Sequence, residues 1–134
     1  MGSTDLTRDG VSPYDHIDFR VRDVTRLARF YDVLMPALGF SRIIKGKRTR
    51  DYYHTKREQP FFSLERAAKS SPSLSRIAFN AATRADVDKV GRVLRRAGAK
   101  AIEGPELCRS YSQPYYAVFF EDPDGNKFEV CCRR

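Results

Sequence analysis

Residues 115–131, YYAVFFEDPDGNKFEVC, decide how this chain is read. The first six are aromatic, β-branched or small, which suits a half-buried pleated surface. Asp122-Pro123-Asp124-Gly125-Asn126 is turn chemistry: Pro presets φ, Gly supplies φ > 0, and Asp and Asn bond nearby backbone. From Lys127 the extended pattern resumes, with Lys127, Glu129 and Cys131 on one face and Phe128 and Val130 on the other. The stretch predicts strand, tight turn, strand. It also sets a carboxylate, Glu129, between apolar neighbours, and an unpaired buried carboxylate is costly. If that face points inward, Glu129 needs a partner.

Working back to the start, residues 14–21 alternate. Ile17, Phe19 and Val21 form an apolar face, while Tyr14, His16, Asp18 and Arg20 form a polar one. Asp23 is placed to cap a helix whose apolar positions run from Val24 to Leu38 and which stops before Gly39; Pro36 is expected to disturb its last turn. Strands are predicted over 40–45, 51–55 and 61–66, the first two joined by the basic loop KGKRTR at 45–50. The segment 67–73 is a linker by composition. The pattern then repeats: a strand over 75–82, a helix over 85–97 capped by Thr83 and stopped by Gly98, a short strand over 99–102, and a loop over 104–113.

HIDFRV at 16–21 lies over RIAFNA at 76–81, an offset of 76 − 16 = 60 residues. Glu65 and Glu129 each fall in the last strand of their half. The organisation is thus a duplicated β-α-β-β-β unit: module one 13–66, linker 67–73 and module two 74–132, within one domain at 13–134 preceded by a frayed tail at 1–12. Each unit alone leaves one sheet face uncovered, so pairing two units encloses a groove.

Bulk properties bound the function. The 134 residues suffice for one domain with a core, and 41% apolar and 31% charged residues are ordinary for a globular protein. No apolar run reaches membrane-spanning length and the N-terminal residues lack a signal-peptide core, so a cytoplasmic protein with no membrane partner is expected. The formal charge is +8, with basic residues spread over several segments and no nucleic-acid reader motif. The expectation is a charge that serves solubility, with no nucleic-acid partner, and the loop at 45–50 as a solvated turn. Three cysteines, Cys108, Cys131 and Cys132, contain no CxxC pair and indicate neither a zinc knuckle nor a disulfide framework.

The duplication, together with DHIDFRVRDVTRLARFYDVLMPALGF at 15–40 and YYAVFFEDPDGNKFEV at 115–130, resembles the vicinal oxygen chelate superfamily. This is the group of glyoxalase I, bleomycin resistance proteins and extradiol dioxygenases. The resemblance covers nearly all of 13–132. It implies an α+β fold in which two βαβββ modules form an eight-stranded curved sheet around a central cavity, often in a homodimer. It further implies a divalent metal in that cavity, Zn, Mn, Fe or Ni, held by residues of the first and last strands of each unit. By position these fall on His16, Glu65, Arg76 and Glu129.

Arg76 departs from that pattern, because a guanidinium offers donors only and cannot ligate a cation. Three alternatives follow. His16, Glu65 and Glu129 hold a metal as an N,O,O set, with Glu65 or Glu129 shuttling a proton. Or Arg76 replaces the metal, pairs with Glu129 and leaves a cavity for a small anionic or aromatic ligand. Or His16 and Glu129 are structural residues on a cavity wall. The first implies a metal-dependent lyase, isomerase or dioxygenase acting on a small oxygenated substrate. The second implies a metal-free protein that binds and sequesters an antibiotic-like small molecule. His54, Tyr115 and Tyr116 are further candidates for lining the cavity, with Asp18 and Arg20 beside His16. The loop containing Cys108, Arg109, Ser110 and Tyr111 is a candidate cover.

Overall fold

The computed structural model describes residues 8–109 and 113–134. After a 3-10 turn at Arg8–Gly10 come β1 (His16–Val21), α1 (Val24–Ala37), β2 (Arg42–Lys45), β3 (Thr49–Tyr53) and β4 (Phe61–Arg66). The second unit follows as β5 (Arg76–Asn80), α2 (Arg84–Ala97), β6 (Lys100–Leu107), β7 (Tyr116–Glu121) and β8 (Lys127–Cys132). The tail expected at 1–12 falls largely outside the described residues.

The eight strands divide into two four-stranded sheets, ordered β1-β4-β3-β2 and β5-β8-β7-β6. In each, the first strand runs parallel to the last and the other neighbours are antiparallel. The two sheets therefore carry the duplication predicted from sequence, as two βαβββ modules. Both helices begin as expected: the Asp23 side chain accepts from Arg26 N and Thr83 accepts from Asp86 N. Gly98 closes α2 at φ +89, in the left-handed region that favours glycine. Pro36 stays inside α1, one residue from its end.

Strand β6 differs from the expectation. It continues to Leu107 instead of ending near residue 102, with register shifts on either side of Glu103. Bulges of this kind let a strand carry irregular backbone without ending, here Ala101 at φ 49 and Gly104 at φ 87. Pro105 then packs on Gly91 of α2, where an added Cβ would sit 2.9 Å from the proline Cγ. A glycine in mid-helix is what permits this approach.

The core lies between the modules. Phe19 and Phe62 of the first sheet meet Phe128 and Phe79 of the second, with ring centroids 5.4 Å apart for Phe19–Phe128 and 6.3 Å for Phe62–Phe79. Tyr31, Leu27 and Leu34 of α1 and Val87, Val90 and Leu94 of α2 complete it, all buried, and α1 packs on α2. The turn at 122–126 is anchored to the other module. Asp122, fully buried, accepts from Tyr31 Oη at 2.6 Å and from Asn126 Nδ2 at 2.8 Å, and its other oxygen accepts from the backbone N–H groups of Asp124 and Asn126. Among the described residues no helix is long and apolar enough to cross a membrane.

Candidate functional site

Because side chains alternate along a strand, the faces opposite Phe19, Phe62 and Phe128 are the ones available for binding. On sheet one that face carries His16, Asp18 and Arg20 of β1, Phe61, Ser63 and Glu65 of β4, and Asp51 and Tyr53 of β3. One residue from each strand stacks on the next across the whole sheet. His16 lies on Phe61 at 4.6 Å, Phe61 on Tyr53 at 4.5 Å, and the Arg42 guanidinium on Tyr53 at 4.6 Å. This ladder is a face-to-face stack with a cation at one end and an imidazole at the other, presenting ring edges outward.

His16 is exposed, and its Nδ1 lies 2.7 Å from Asp15 Oδ2, with Nε2 3.4 Å from Asp18. The hydrogen bond to Asp15 comes first among the causes that raise its pKa above 6.5, with the charge of Asp18 adding to it. Arg20 pairs with Glu65 at 3.6 Å, across the strand boundary. Ser63, buried, donates to Asp51 Oδ1 at 2.5 Å.

On sheet two the equivalent face holds Arg76, Ala78 and Asn80 of β5, Glu129 and Cys131 of β8, and Ala117 and Phe119 of β7. Glu129 is 8% exposed, and its partner is Tyr115, whose hydroxyl donates to Glu129 Oε2. The face does turn inward at Glu129, and the partner this requires comes from the start of the same hairpin. Burial first, then the bond to Glu129, hold the Tyr115 phenol well above its usual range. Arg76 is exposed and lays its guanidinium over Phe119, the cross-strand neighbour of Glu129, at 5.0 Å. Arg133 covers the Tyr115 ring at 4.4 Å. Cys108 packs beside Tyr115 and Cys131, and burial pushes its thiol up, so it stays protonated near neutral pH.

The remaining candidates are placed elsewhere. Tyr116 points to the opposite side of its strand, where its hydroxyl donates to Asp88 of α2 at 2.5 Å. His54 follows β3, accepts at Nδ1 from Lys56 N at 3.0 Å, and packs on Gly39 beyond α1. Of the proposed covering loop, Cys108 N donates to Tyr115 O at 2.7 Å; Ser110 and Tyr111 lie outside the described residues.

Register shows which residues are equivalent. Ser63 stands opposite Asp18 in β1, and Glu129 stands opposite Ala78 in β5. Since 78 − 18 = 60, Ser63 occupies in module one the place Glu129 occupies in module two. Glu65, opposite Arg20, corresponds to Cys131, opposite Asn80. The offset grows from 60 at the first strands to 129 − 63 = 66 at the last, because module two is longer before its hairpin. Aligning Phe62-Ser63-Leu64 on Phe128-Glu129-Val130 by apolar residues would have exposed this from the sequence.

The four equivalent positions thus hold an imidazole, a hydroxyl, a guanidinium and a carboxylate: His16, Ser63, Arg76 and Glu129. This donor set does not fit a divalent cation. Arg76 can only donate, Ser63 is a neutral hydroxyl bonded to Asp51, and Glu65 is tied to Arg20 one pleat away. Among the described residues of one chain, no three His, Cys, Asp or Glu side chains are grouped to hold a metal ion.

Comparison with known proteins follows the same outline. The family model for the Glyoxalase/Bleomycin resistance protein/Dioxygenase superfamily matches residues 14–130. No curated protein matches the sequence. Among solved structures, a glyoxalase/bleomycin resistance protein from Albidiferax ferrireducens T118 is 22% identical, with TM-score 0.78 over 91% of this chain and 100% of that one. A putative glyoxalase from Bacillus halodurans is 23% identical, with TM-score 0.72 over 90% and 95%. The fosfomycin resistance protein FosX from Mesorhizobium loti is 20% identical, with TM-score 0.61 over 87% and 88%. At these identities the likeness is one of fold.

Proposed function

This chain belongs to the glyoxalase/bleomycin resistance protein/dioxygenase superfamily, and from that premise we propose that it binds a small, planar, anionic molecule without a metal, in a cavity closed between two copies. Superfamily members commonly use divalent metal ions and often form dimers. The observation that carries the metal-free reading is the register of β4, which puts Ser63 where Glu129 stands in the other module, while Arg76 fills a further ligand position.

The residues present suit a different ligand. The stack of His16, Phe61, Tyr53 and Arg42 offers a row of ring edges, whose positive rim suits an anion, between a guanidinium and an imidazole. Arg76, over the Phe119 ring, offers a planar fork to a carboxylate or similar oxyanion. Glu129 and Tyr115 satisfy each other on the same face of sheet two as Arg76 and add a polar wall. The two faces cannot close on each other within one chain, since both sheets turn their opposite faces to the shared core. Sheet one of one copy facing sheet two of another brings the row of ring edges and the Arg76 fork together.

Complementation between copies tests this. Salicylate serves as probe, with binding read by calorimetry. Arg42→Glu, in sheet one, and Arg76→Glu, in sheet two, are each expected to abolish binding when alone. Co-refolding equal amounts of the two variants should restore about a quarter of the sites, because about half of the dimers are then mixed and each mixed dimer has one of its two sites with both walls intact. A mixed sample that stays silent rules out a shared cavity. Elemental analysis of chelator-free protein addresses the other half of the reading: about one divalent ion per chain would overturn it in favour of metal-dependent lyase, isomerase or dioxygenase chemistry.

A further inference from the structure

A second concave surface lies on the other side of sheet one from the aromatic ladder. It is a cleft of ≈ 660 Å³ between α1, the β2–β3 hairpin and the end of β4. That volume is within the range of small-molecule sites. Its lining concentrates positive charge. Arg29 projects from α1, Lys45, Lys47 and Arg48 from the hairpin, and Arg66 from β4. All five are exposed, and none makes an ion pair among the described residues.

The acidic groups in the lining are already engaged. Asp32 accepts from Arg50 Nε at 2.8 Å and from Tyr52 Oη at 2.8 Å, with its second oxygen on another Arg50 nitrogen. Asp23 caps α1. The KGKRTR segment, which composition alone presents as a solvated turn, is therefore one wall of a basic cleft. Five unpaired cations lining one cleft repel, and a polyanion seated among them relieves that repulsion.

We propose that this cleft binds the phosphate chain of a small multiply phosphorylated molecule, through Arg29, Lys45, Lys47, Arg48 and Arg66. The lining contains no aromatic side chain on which a base could stack, and offers instead cations with the hydroxyls of Thr25 and Thr49. That chemistry recognises phosphate oxygens, not bases. A bounded cleft also favours a compact ligand over a nucleic-acid strand running across an open surface. The binding is independent of the cavity proposed between copies, since it uses the opposite side of the sheet.

The probe is inorganic triphosphate, titrated into the full chain by calorimetry at fixed ionic strength. Saturable binding is expected, weakened by at least about tenfold in Lys47→Glu/Arg48→Glu. Arg95→Glu/Arg96→Glu, which changes the net charge equally on exposed positions of α2, is expected to leave it within about twofold. Arg29→Ala supplies a second test on a different wall with little perturbation of the hairpin, and is expected to weaken binding too. No saturable binding overturns the proposal. So does equal loss in the α2 control, or equal competition by sulfate, which would reduce the effect to net charge. Tighter binding of a short DNA duplex at the same salt, lost in the same hairpin variant, would assign the cleft to nucleic acid instead.

Discussion

Tyr31 Oη donates to Asp122 Oδ2 at 2.6 Å, joining the first helix of module one to the hairpin turn of module two in the buried interior. The bond fastens one copy of the repeat to the other. Burial foremost, and then the Asp122 charge and hydrogen bond, raise the tyrosine pKa well above its ordinary value, so the phenol remains a donor throughout the accessible pH range.

Tyr31→Phe keeps the ring packing and removes only the donor, leaving a buried carboxylate oxygen with one partner fewer. The expected loss is about 1–3 kcal/mol in urea unfolding. Asp122→Ala is expected to cost more, because it also releases Asn126 and two backbone N–H groups. A double-mutant cycle between the two positions should show coupling of about 0.5–3 kcal/mol. Additive effects would mean that the bond contributes nothing.

Gly91→Ala should destabilise the protein although alanine is the better helix former. The new Cβ meets Pro105 at 2.9 Å, and a rigid ring on a bulged strand has little room to yield. Overpacking of this kind costs about 1–3 kcal/mol. A midpoint in denaturant equal to or above that of the parent would show that β6 moves freely away from α2.

His16 is expected to titrate above 6.5, observed as the imidazole resonance followed by NMR against pH. Asp15→Asn should lower the midpoint most and Asp18→Asn should lower it less, in the order of their influence on the ring. The sign for stability follows from the raised pKa. The contribution is fully present below the unfolded value and is lost as pH rises through the folded one. A midpoint unchanged in Asp15→Asn would show that the contact does not persist in solution.

Ser63→Glu combined with Arg76→His replaces the two positions at which the donor set departs from metal ligation. The double variant is expected to gain zinc binding that the parent lacks, measured by calorimetry with apo protein. Each single change should gain far less, because three or four donors are needed together. Equal zinc binding in parent and variant would show that His16 and Glu129 already suffice.

Much of the fold was legible because it rests on local pattern. The alternation at 16–21, the caps at Asp23 and Thr83, and the turn at 122–126 are all decided by near neighbours in sequence. The strand register was harder. Glu65 and Glu129 look equivalent because both lie late in their modules, yet the longer β6 and its connection shift the last strand by six residues, 66 − 60, relative to the first. Pleat alternation makes a wrong pairing invisible unless the apolar faces are aligned first.

By itself, the amino-acid order determined that two βαβββ units exist, which residues face their cores, and that Glu129 needs a partner. Those follow from periodicity and from the cost of burying charge. Only the tertiary structure decided that Tyr115 is that partner, that Ser63 mirrors Glu129, and that the polar faces of the two sheets turn away from a common core. Such outcomes depend on contacts between residues far apart along the chain, whose geometry is set by how the modules pack and not by local preference.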